Sequence, residues 1–274
     1  MKKINLIITT AVNYDWEKIK FFIKSYSKYH NNTDIVVIIG NRDSQLKEKL
    51  KKFKIKYYEA KIHRYDIQEK RYHYALDILK NNSKYTKVLL CDSRDVYFQK
   101  NIFSYNFKKK INFFLEDGII KKSEHNSNWI KKTIGLIKYN KICNNRISCG
   151  GTVLGEKKTM INYCKLMIEL YKKFPYKKKL KYILLFQTDK ESRGCDQAYH
   201  NFLLYKNHFK NFKIHNNRTG PIANIGLSSN FKFNKQGKLL NEKKNIYSLV
   251  HQFDRHIHKF EKQIKELKKR YNII

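Results

Sequence analysis

The chain has 274 residues, of which 41% are hydrophobic and 14% aromatic, so it can form a packed core and is not intrinsically disordered. This length allows one large domain or two small ones, and the 10 glycines and 2 prolines argue against long flexible linkers. The formal net charge of +36 predicts attraction to nucleic acid, anionic lipid or phosphorylated substrates. A surplus of Lys, Asn, Ile and Tyr is also expected of an AT-rich genome, so the charge has a compositional explanation as well.

Cysteine spacing and hydropathy exclude several kinds of protein. The 5 cysteines form no C-x-x-C pair, which argues against a structural zinc site, and their odd number fits a reducing compartment. Lys2 and Lys3 precede a short apolar run without a cleavage site, which we interpret as a first strand rather than a signal peptide. No stretch approaches the ~20 apolar residues of a membrane span. We therefore expect a cytoplasmic protein that is not secreted and is at most peripheral to a membrane.

The first 99 residues alternate between strand and helix patterns. Apolar runs predict strands at 4–10, 35–39 and 54–60. Helical spacing predicts helices after Asp15, from Asp43 or Ser44, and over 67–79. Such alternation predicts an α/β fold in which helices flank a mostly parallel central sheet, as in Rossmann-like domains. Neither G-x-x-x-x-G-K-[ST] nor G-x-G-x-x-G is present, so no glycine-rich loop of these kinds holds a phosphate.

The most informative stretch is KVLLCDSRDVYFQ at 87–99. Its apolar run ends on Asp92, Asp95 follows three residues later, and a strand-like pattern then resumes. Open α/β sheets bind ligands outside the carboxyl ends of their strands. Two carboxylates there repel each other unless a cation lies between them, so a divalent metal carrying a substrate diphosphate is one interpretation. The other is a surface turn in which Arg94 pairs with either aspartate.

The second half of the chain has a more mixed pattern. Apolar runs predict strands at 111–115, 148–155 and 246–250. Helical spacing predicts helices around 129–139 and over 159–174, 198–205 and 258–271. We interpret 119–147 as otherwise irregular, 177–181 as a solvated lysine-rich loop and 217–226 as a turn-rich loop.

Several polar residues stand at the ends of these predicted elements. Glu116 and Asp117 end one strand, and Gly150 and Gly151 interrupt another, which marks a bulge or a close backbone approach. Asp196 begins a helix, either as its cap or as a carboxylate aimed at a cleft. The last strand ends at His251, followed by QFDRH; a histidine there is a structural residue or a ligand.

Four of these motifs together resemble nucleotide-sugar-dependent glycosyltransferases of the GT-A type. KVLLCDSRDVYFQ looks like a strand ending in a D-x-D-like motif, in a D-x-R-D variant, and SCGGTVLG looks like the acceptor-side strand. GCDQAYHNFLLY is similar to a helix that starts with D-Q, and VHQFDRH resembles a C-terminal segment whose histidine returns to the metal. Order and spacing match over roughly residues 4–256. Small enzymes of this kind occur in polysaccharide gene clusters and in large DNA viruses.

The resemblance implies a single GT-A-like domain with a metal site. Residues 1–99 would form the nucleotide-sugar-binding half, 100–257 the acceptor-side half, and 258–274 a basic C-terminal helix. The implied ligands of Mn²⁺ or Mg²⁺ are Asp92, Asp95 and His251, with Asp92 alternatively on the ribose and His251 alternatively on the diphosphate. The usual motif has its carboxylates two residues apart, so either aspartate is a candidate for the direct ligand. The implied substrate-binding residues are Thr9, Thr10, Arg71, Asp92, Arg94, Gly150, Gly151 and Gln197.

The resemblance also implies a reaction: transfer of a sugar from a nucleotide sugar, most commonly a UDP-sugar, to an acceptor hydroxyl. A carboxylate would take the proton of that hydroxyl in an inverting enzyme. Asp196 is the first candidate for this base, followed by Glu116 and then Asp117; in a retaining enzyme Asp196 would lie beside the anomeric carbon. The acceptor would be a glycan, a lipid-linked glycan or a protein, in surface polysaccharide or glycan biosynthesis.

Two other hypotheses use the positive charge. A basic nucleic-acid-binding protein without catalytic activity would use interleaved aromatic and basic residues, as in RYHY at 71–74 and KYILLF at 181–186, and its binding would depend steeply on salt. It leaves the DSRD, CDQ and HQFDRH motifs unexplained. The basic C-terminal helix could also lie on an anionic membrane surface, which is compatible with a lipid-linked acceptor.

Overall fold

A computed structural model describes residues 3–61, 67–175, 194–228, 230–256 and 258–271. The strands are β1 (Ile4–Thr10), β2 (Thr33–Gly40), β3 (Lys56–Ala60), β4 (Tyr85–Cys91), β5 (Val96–Phe98), β6 (Ile111–Ile119), β7 (Arg146–Glu156), β8 (Phe212–His215), β9 (Ile222–Asn224), β10 (Lys232–Phe233), β11 (Leu239–Leu240) and β12 (Leu249–His251). The helices are α1 (Trp16–Tyr29), α2 (Ser44–Lys52), α3 (Ile67–Lys80), α4 (Glu124–Ile134), α5 (Leu136–Asn140), α6 (Lys157–Lys173), α7 (Cys195–Tyr205) and α8 (Glu261–Arg270).

The central sheet has seven strands in the order β3-β2-β1-β4-β7-β6-β8. Strands β3, β2, β1 and β4 are mutually parallel, β7 runs antiparallel to β4 and β6, and β8 is parallel to β6. The predicted mixed α/β architecture with a mostly parallel sheet is therefore confirmed. The chain proceeds from β1 outward through β2 to β3 and then crosses to β4 on the other side of β1. This reversal opens a crevice at the carboxyl ends of β1 and β4, where open α/β sheets bind ligands.

Helices cover both faces of this sheet. On one face α1 and α2 pack through apolar residues that include Ile19, Phe22 and Leu46. The other face is covered by α3, α4, α6 and α7, and it forms the larger cluster of buried side chains. Helix α1 begins where the sequence predicts, because the Asp15 carboxylate accepts a hydrogen bond from the backbone N–H of Lys18 at 2.9 Å.

A small second sheet, β5-β12-β9, lies beside the carboxyl edge of the central one. Strand β12 is antiparallel to β5, pairing His251 with Val96, and parallel to β9, pairing His251 with Asn224. Helix α8 closes this side: Phe260, Ile264 and Leu267 are buried against it. The apolar side of the C-terminal helix thus packs into the protein and is not free to insert into a bilayer. Among the described helices, none is both long and apolar enough to span a membrane.

Several predicted boundaries are wrong for identifiable reasons. The helix expected around 129–139 is two helices, because Gly135 takes a left-handed φ of 87° between them. The strand expected at 246–250 is β12, and Ile246 forms only an isolated bridge to Leu240. The loop expected at 217–226 contains β9, which is too short to give a periodic signal. The predicted loop at 177–181 and the aromatic stretch at 181–186 fall outside the described residues.

Candidate metal centre and cleft

Three elements bring the three predicted metal ligands together. Asp92 follows β4, Asp95 precedes β5, and His251 ends β12. His251 Nε2 lies 3.4 Å from Asp92 Oδ2 and 3.6 Å from Asp95 Oδ1. One possible ligand atom from each residue lies within 4.8 Å of the others, and in the part of the chain that the structure describes no other group of three or more His, Cys, Asp or Glu residues does so. This spacing suits a single cation held by two carboxylates and an imidazole.

The orientation of the His251 ring is fixed by two groups that contact its Nδ1 atom, on the side away from Asp92 and Asp95. Its Nδ1 lies 3.0 Å from Asn224 Oδ1 and 3.3 Å from Cys149 Sγ. The Asn224 amide cannot be reversed without loss, because its Nδ2 donates to the carbonyl oxygen of Leu115 at 3.1 Å. Asn224 therefore presents an acceptor to Nδ1, which must carry the proton. In neutral His251 the lone pair of Nε2 then faces Asp92 and Asp95, as a metal-ligating histidine requires.

Two glycines of β7 make room for this cluster. A Cβ on Gly151 would lie 2.6 Å from both Asp92 Oδ2 and His251 Cε1. A Cβ on Gly150 would lie 3.0 Å from Gln197 Oε1, which instead accepts a hydrogen bond from the Gly150 N–H at 2.6 Å. The backbone of β7 thus approaches the cluster more closely than any residue with a side chain allows. This is the close approach that the interrupted strand pattern predicts.

Arg71 connects the predicted metal ligands to α7. Its guanidinium donates to Asp92 Oδ1 at 3.1 Å and to Asp196 Oδ2 at 2.6 Å. It also donates to the hydroxyl of Tyr72 at 2.8 Å, and its side chain is only 19% exposed. Asp196 is not the cap of α7, since Gly194 occupies that position. Its carboxylate is instead held in an ion pair with Arg71, while burial raises its pKa.

The electrostatics of the cluster favour an added cation. Burial alone would raise the pKa of Asp92, but its hydrogen bond with His251 and the charge of Arg71 outweigh this effect and lower the pKa to about 2. Burial raises the pKa of Asp95, helped by the charge of Asp92. Burial would lower the pKa of His251, whereas its thiol and carboxylate neighbours raise it well above its usual value. A cation between the carboxylates would take the place of the proton on His251.

A cleft of about 180 Å³ opens beside the cluster. Glu116 lines it and is buried, and its Oε1 accepts a hydrogen bond from Gln197 Nε2 at 3.2 Å. Its second carboxylate oxygen receives no hydrogen bond from a described residue. Asp117 points elsewhere, in ion pairs with Arg146 and Arg218. Of the three carboxylates predicted as bases, Glu116 is the one that lines the cleft without an ion-pair partner among the described residues.

On the other side of Asp92, the ends of β1 and β4 form a narrow pocket of about 30 Å³. Thr9, Thr10 and Arg71 line it, together with Gly150 and Gly151. The buried Thr9 hydroxyl has no hydrogen-bond partner among the described residues. Arg94 does not line this pocket. It is half-exposed and forms ion pairs with Asp254 at 3.1 Å and with Asp95 at 3.7 Å. The pocket as it stands accepts water-sized groups, so a larger ligand requires the residues that line it to move apart.

Sequence reasoning missed the residues that support the site. The supporting residues include Asn224 behind His251, and Asn126, Trp129, Gln252 and Arg255 along the cleft. Asn224 in turn is held by reciprocal bonds with Asn217 at 2.8 and 3.0 Å. For Asn217 and Asn224 the only signal in the sequence was the loop NRTGPIANIG, and asparagines are also common in ordinary turns. The chain matches no protein-family model, and a search of curated proteins finds no match either.

Proposed function

We propose that the protein is a metal-dependent glycosyltransferase of the GT-A type that takes its sugar from a nucleotide sugar, with UDP-sugars the first choice. The observation that carries this proposal is the convergence of Asp92, Asp95 and His251 at the crevice between β1 and β4. The crevice is where α/β sheets bind nucleotides, and a cleft for a second substrate adjoins it. The chain lacks the common phosphate-binding loops, so a cation is the economical partner for a diphosphate.

The donor set suits Mn²⁺ better than Mg²⁺. Carboxylates bind either ion, whereas an imidazole ligand favours a transition metal. When bound, the cation stabilises the negative charge that develops on the leaving diphosphate. Arg71 adds a fixed positive charge beside Asp92, and Thr9 and Thr10 lie at the strand end where the donor would enter.

The acceptor enters the cleft beside Glu116 in this proposal. Glu116 takes the proton of the acceptor hydroxyl while the bond between the sugar and the diphosphate breaks, in a direct displacement. Its contact with Gln197 holds it on the side of the cleft that faces Gly150. Asp196 acts through Arg71, whose position it fixes. This assignment reverses the order of bases that the sequence favours.

The experiment is a thermal-shift measurement with UDP, GDP and UDP-sugars, each with and without Mn²⁺. A ligand that binds only the folded protein raises the melting temperature by mass action. We expect a shift with UDP or a UDP-sugar that requires Mn²⁺ and that disappears in Asp95→Asn. The control is Asp15→Asn, which removes an equal charge from an exposed cap that asparagine also fills.

Two results would contradict the proposal. One is the absence of a shift with any nucleotide, together with a shift by oligonucleotides that vanishes in salt; this result would favour nucleic-acid binding. The other is an unchanged Mn²⁺-dependent shift in Asp95→Asn, which would remove this cluster from the binding site.

A further inference from the structure

A second, wider depression lies at the other end of the small sheet. Its volume is about 400 Å³, within the range of small-molecule sites. It is formed by residues after β5, by the turn before β9 and by the turn after β11. Ser248 lines it and precedes His251 by three residues of extended chain, which is about 10 Å at the rise of a strand. The depression is therefore separate from the metal centre.

The floor of the depression is buried and tied together by hydrogen bonds. Ser248 donates its backbone N–H to the carbonyl oxygen of Pro221 at 2.8 Å. Asn241 accepts from the Asn245 N–H at 2.9 Å and donates from its side chain to the carbonyl oxygen of Thr219 at 3.3 Å. The Lys100 N–H also donates to the carbonyl oxygen of Ser248 at 3.3 Å, so the three chain segments are held in one arrangement before any ligand arrives. Such preorganisation lowers the entropy cost of binding.

Four of the residues that line the depression carry side-chain donors without partners among the described residues. Lys100 and Lys243 stand exposed at its rim and form no ion pair with a described residue. The hydroxyls of Thr219 and Ser248 have no hydrogen bond to a described residue either. None of the residues that line it is acidic. This arrangement suits a ligand with anionic oxygens, since charge-assisted hydrogen bonds are the stronger kind.

An aromatic ring completes the rim. Tyr105 is 39% exposed, and its ring is held from behind by Phe107 at 4.8 Å and by His215 at 5.7 Å between ring centroids. An exposed aromatic ring beside hydroxyl and amide groups is suited to the apolar face and polar edge of a sugar ring. An inorganic anion has no apolar face that could pack against this ring.

We propose that this depression binds an anionic saccharide, a sugar unit that carries a phosphate or a carboxylate group. The two lysines bind the anionic group, and Tyr105 packs against the sugar ring. The inference goes beyond the proposed glycosyl transfer and does not depend on it, because the depression shares no residue with the metal centre.

The test is calorimetric titration of the full chain with glucose 6-phosphate, glucuronate, glucose and inorganic phosphate. We expect glucose 6-phosphate and glucuronate to bind more tightly than glucose or inorganic phosphate. The double variant Lys100→Ala, Lys243→Ala should weaken the binding of glucose 6-phosphate by about tenfold or more. The matched control is Lys49→Ala with Lys52→Ala, which removes the same charge from the exposed side of α2.

Further variants separate the site from general attraction to a basic protein. Tyr105→Ala should weaken the binding of glucose 6-phosphate but leave the affinity for inorganic phosphate unchanged. Asp95→Asn should change neither affinity. Equal weakening by both lysine pairs would overturn the proposal, because it would show attraction by net charge alone. Equal affinity for inorganic phosphate and glucose 6-phosphate would also overturn it. So would displacement of glucose 6-phosphate by a tighter-binding oligonucleotide, which would assign this face to nucleic acid.

Discussion

The two edges of the parallel strands both carry clusters of charged residues, but the clusters are built in opposite ways. At the amino edge, Asp34 is surrounded by donors: Lys56 at 2.7 Å, Lys84 at 2.8 Å and the Tyr85 hydroxyl at 2.9 Å. At the carboxyl edge, two arginines, Arg71 and Arg94, are shared among four carboxylates, those of Asp92, Asp95, Asp196 and Asp254. The first cluster is balanced by its own cations, whereas the four carboxylates of the second have only these two arginines and His251, whose proton a metal ion would replace.

The difference between the two edges is informative because the chain has many more basic than acidic residues. The chain has 59 lysines and arginines against 23 aspartates and glutamates, so carboxylates surrounded by cations are what its composition predicts. Asp34 follows that expectation. A local excess of carboxylates does not, because such carboxylates repel one another unless a cation is bound. In a protein this basic, the acidic cluster is the better guide to function than the basic surface.

The largest expected effect comes from closing the space at the carboxyl edge. Gly151→Ala places a methyl group 2.6 Å from Asp92 Oδ2 and from His251 Cε1, so these side chains must separate. We expect Mn²⁺ binding to be lost in calorimetry. Gly135→Ala is the control: nothing lies within 4 Å of its Cβ, and its φ of 87° with a ψ of 163° costs roughly 1–3 kcal/mol of stability in alanine. Retention of full Mn²⁺ affinity in Gly151→Ala would show that the three side chains do not share an ion.

A second effect tests how the carboxylates at the carboxyl edge divide their roles. Glu116→Gln removes the predicted base that lines the cleft without an ion pair to a described residue, and we expect turnover to fall by roughly 10²–10⁴-fold with Mn²⁺ affinity unchanged. Asp196→Asn breaks the ion pair with Arg71, so it should raise the KM for the donor as well. If Asp196→Asn lowers turnover alone and Glu116→Gln has no effect, the base is Asp196, as the sequence favours.

A smaller effect is expected behind His251. Asn224→Ala removes the acceptor that holds the Nδ1 proton, and the loss of such a supporting group weakens metal affinity by roughly 10–100-fold. The tautomer of neutral His251, read by ¹⁵N NMR without metal at a pH above the raised pKa of this residue, should become mixed. Asn126→Ala removes a cleft amide that is hydrogen-bonded to Ser123 and Gln197 and not to His251, so Mn²⁺ affinity should stay unchanged in this variant. Equal loss in both variants would indicate general damage rather than a specific support.

The sequence could predict the parts of the site that depend on neighbouring residues, but not the parts that depend on contacts between distant ones. Strand β1 and the position of Asp92 follow from local patterns, because apolar runs and their ends are visible in a few residues. The approach of His251 to Asp92 across more than 150 residues was implied by the resemblance, and local patterns do not contain it. Asn224 could not be predicted at all, because its role depends on β9, a strand of three residues that forms only against β12. The ion pair between Arg71 and Asp196 was missed for the same reason, since it joins two helices distant in sequence.

The smallest effect on function, and a clear one on stability, is expected at the amino edge. Partial burial would raise the pKa of Asp34, but hydrogen bonds from Lys56, Lys84 and Tyr85 outweigh it and lower the pKa from 3.8 to about 2. A lowered pKa means that Asp34 stabilises the fold above about pH 4 and that this contribution disappears as the pH falls toward 2. Asp34→Asn should therefore cost about 1–2 kcal/mol in the free energy of unfolding at pH 7 and much less near pH 2.

Urea titration at several pH values measures this difference, while Mn²⁺ affinity should match that of the unmodified chain. A loss of metal binding in Asp34→Asn would mean that the two edges are coupled through the sheet, whereas a pH-independent cost would mean that the lysines do not stabilise the carboxylate.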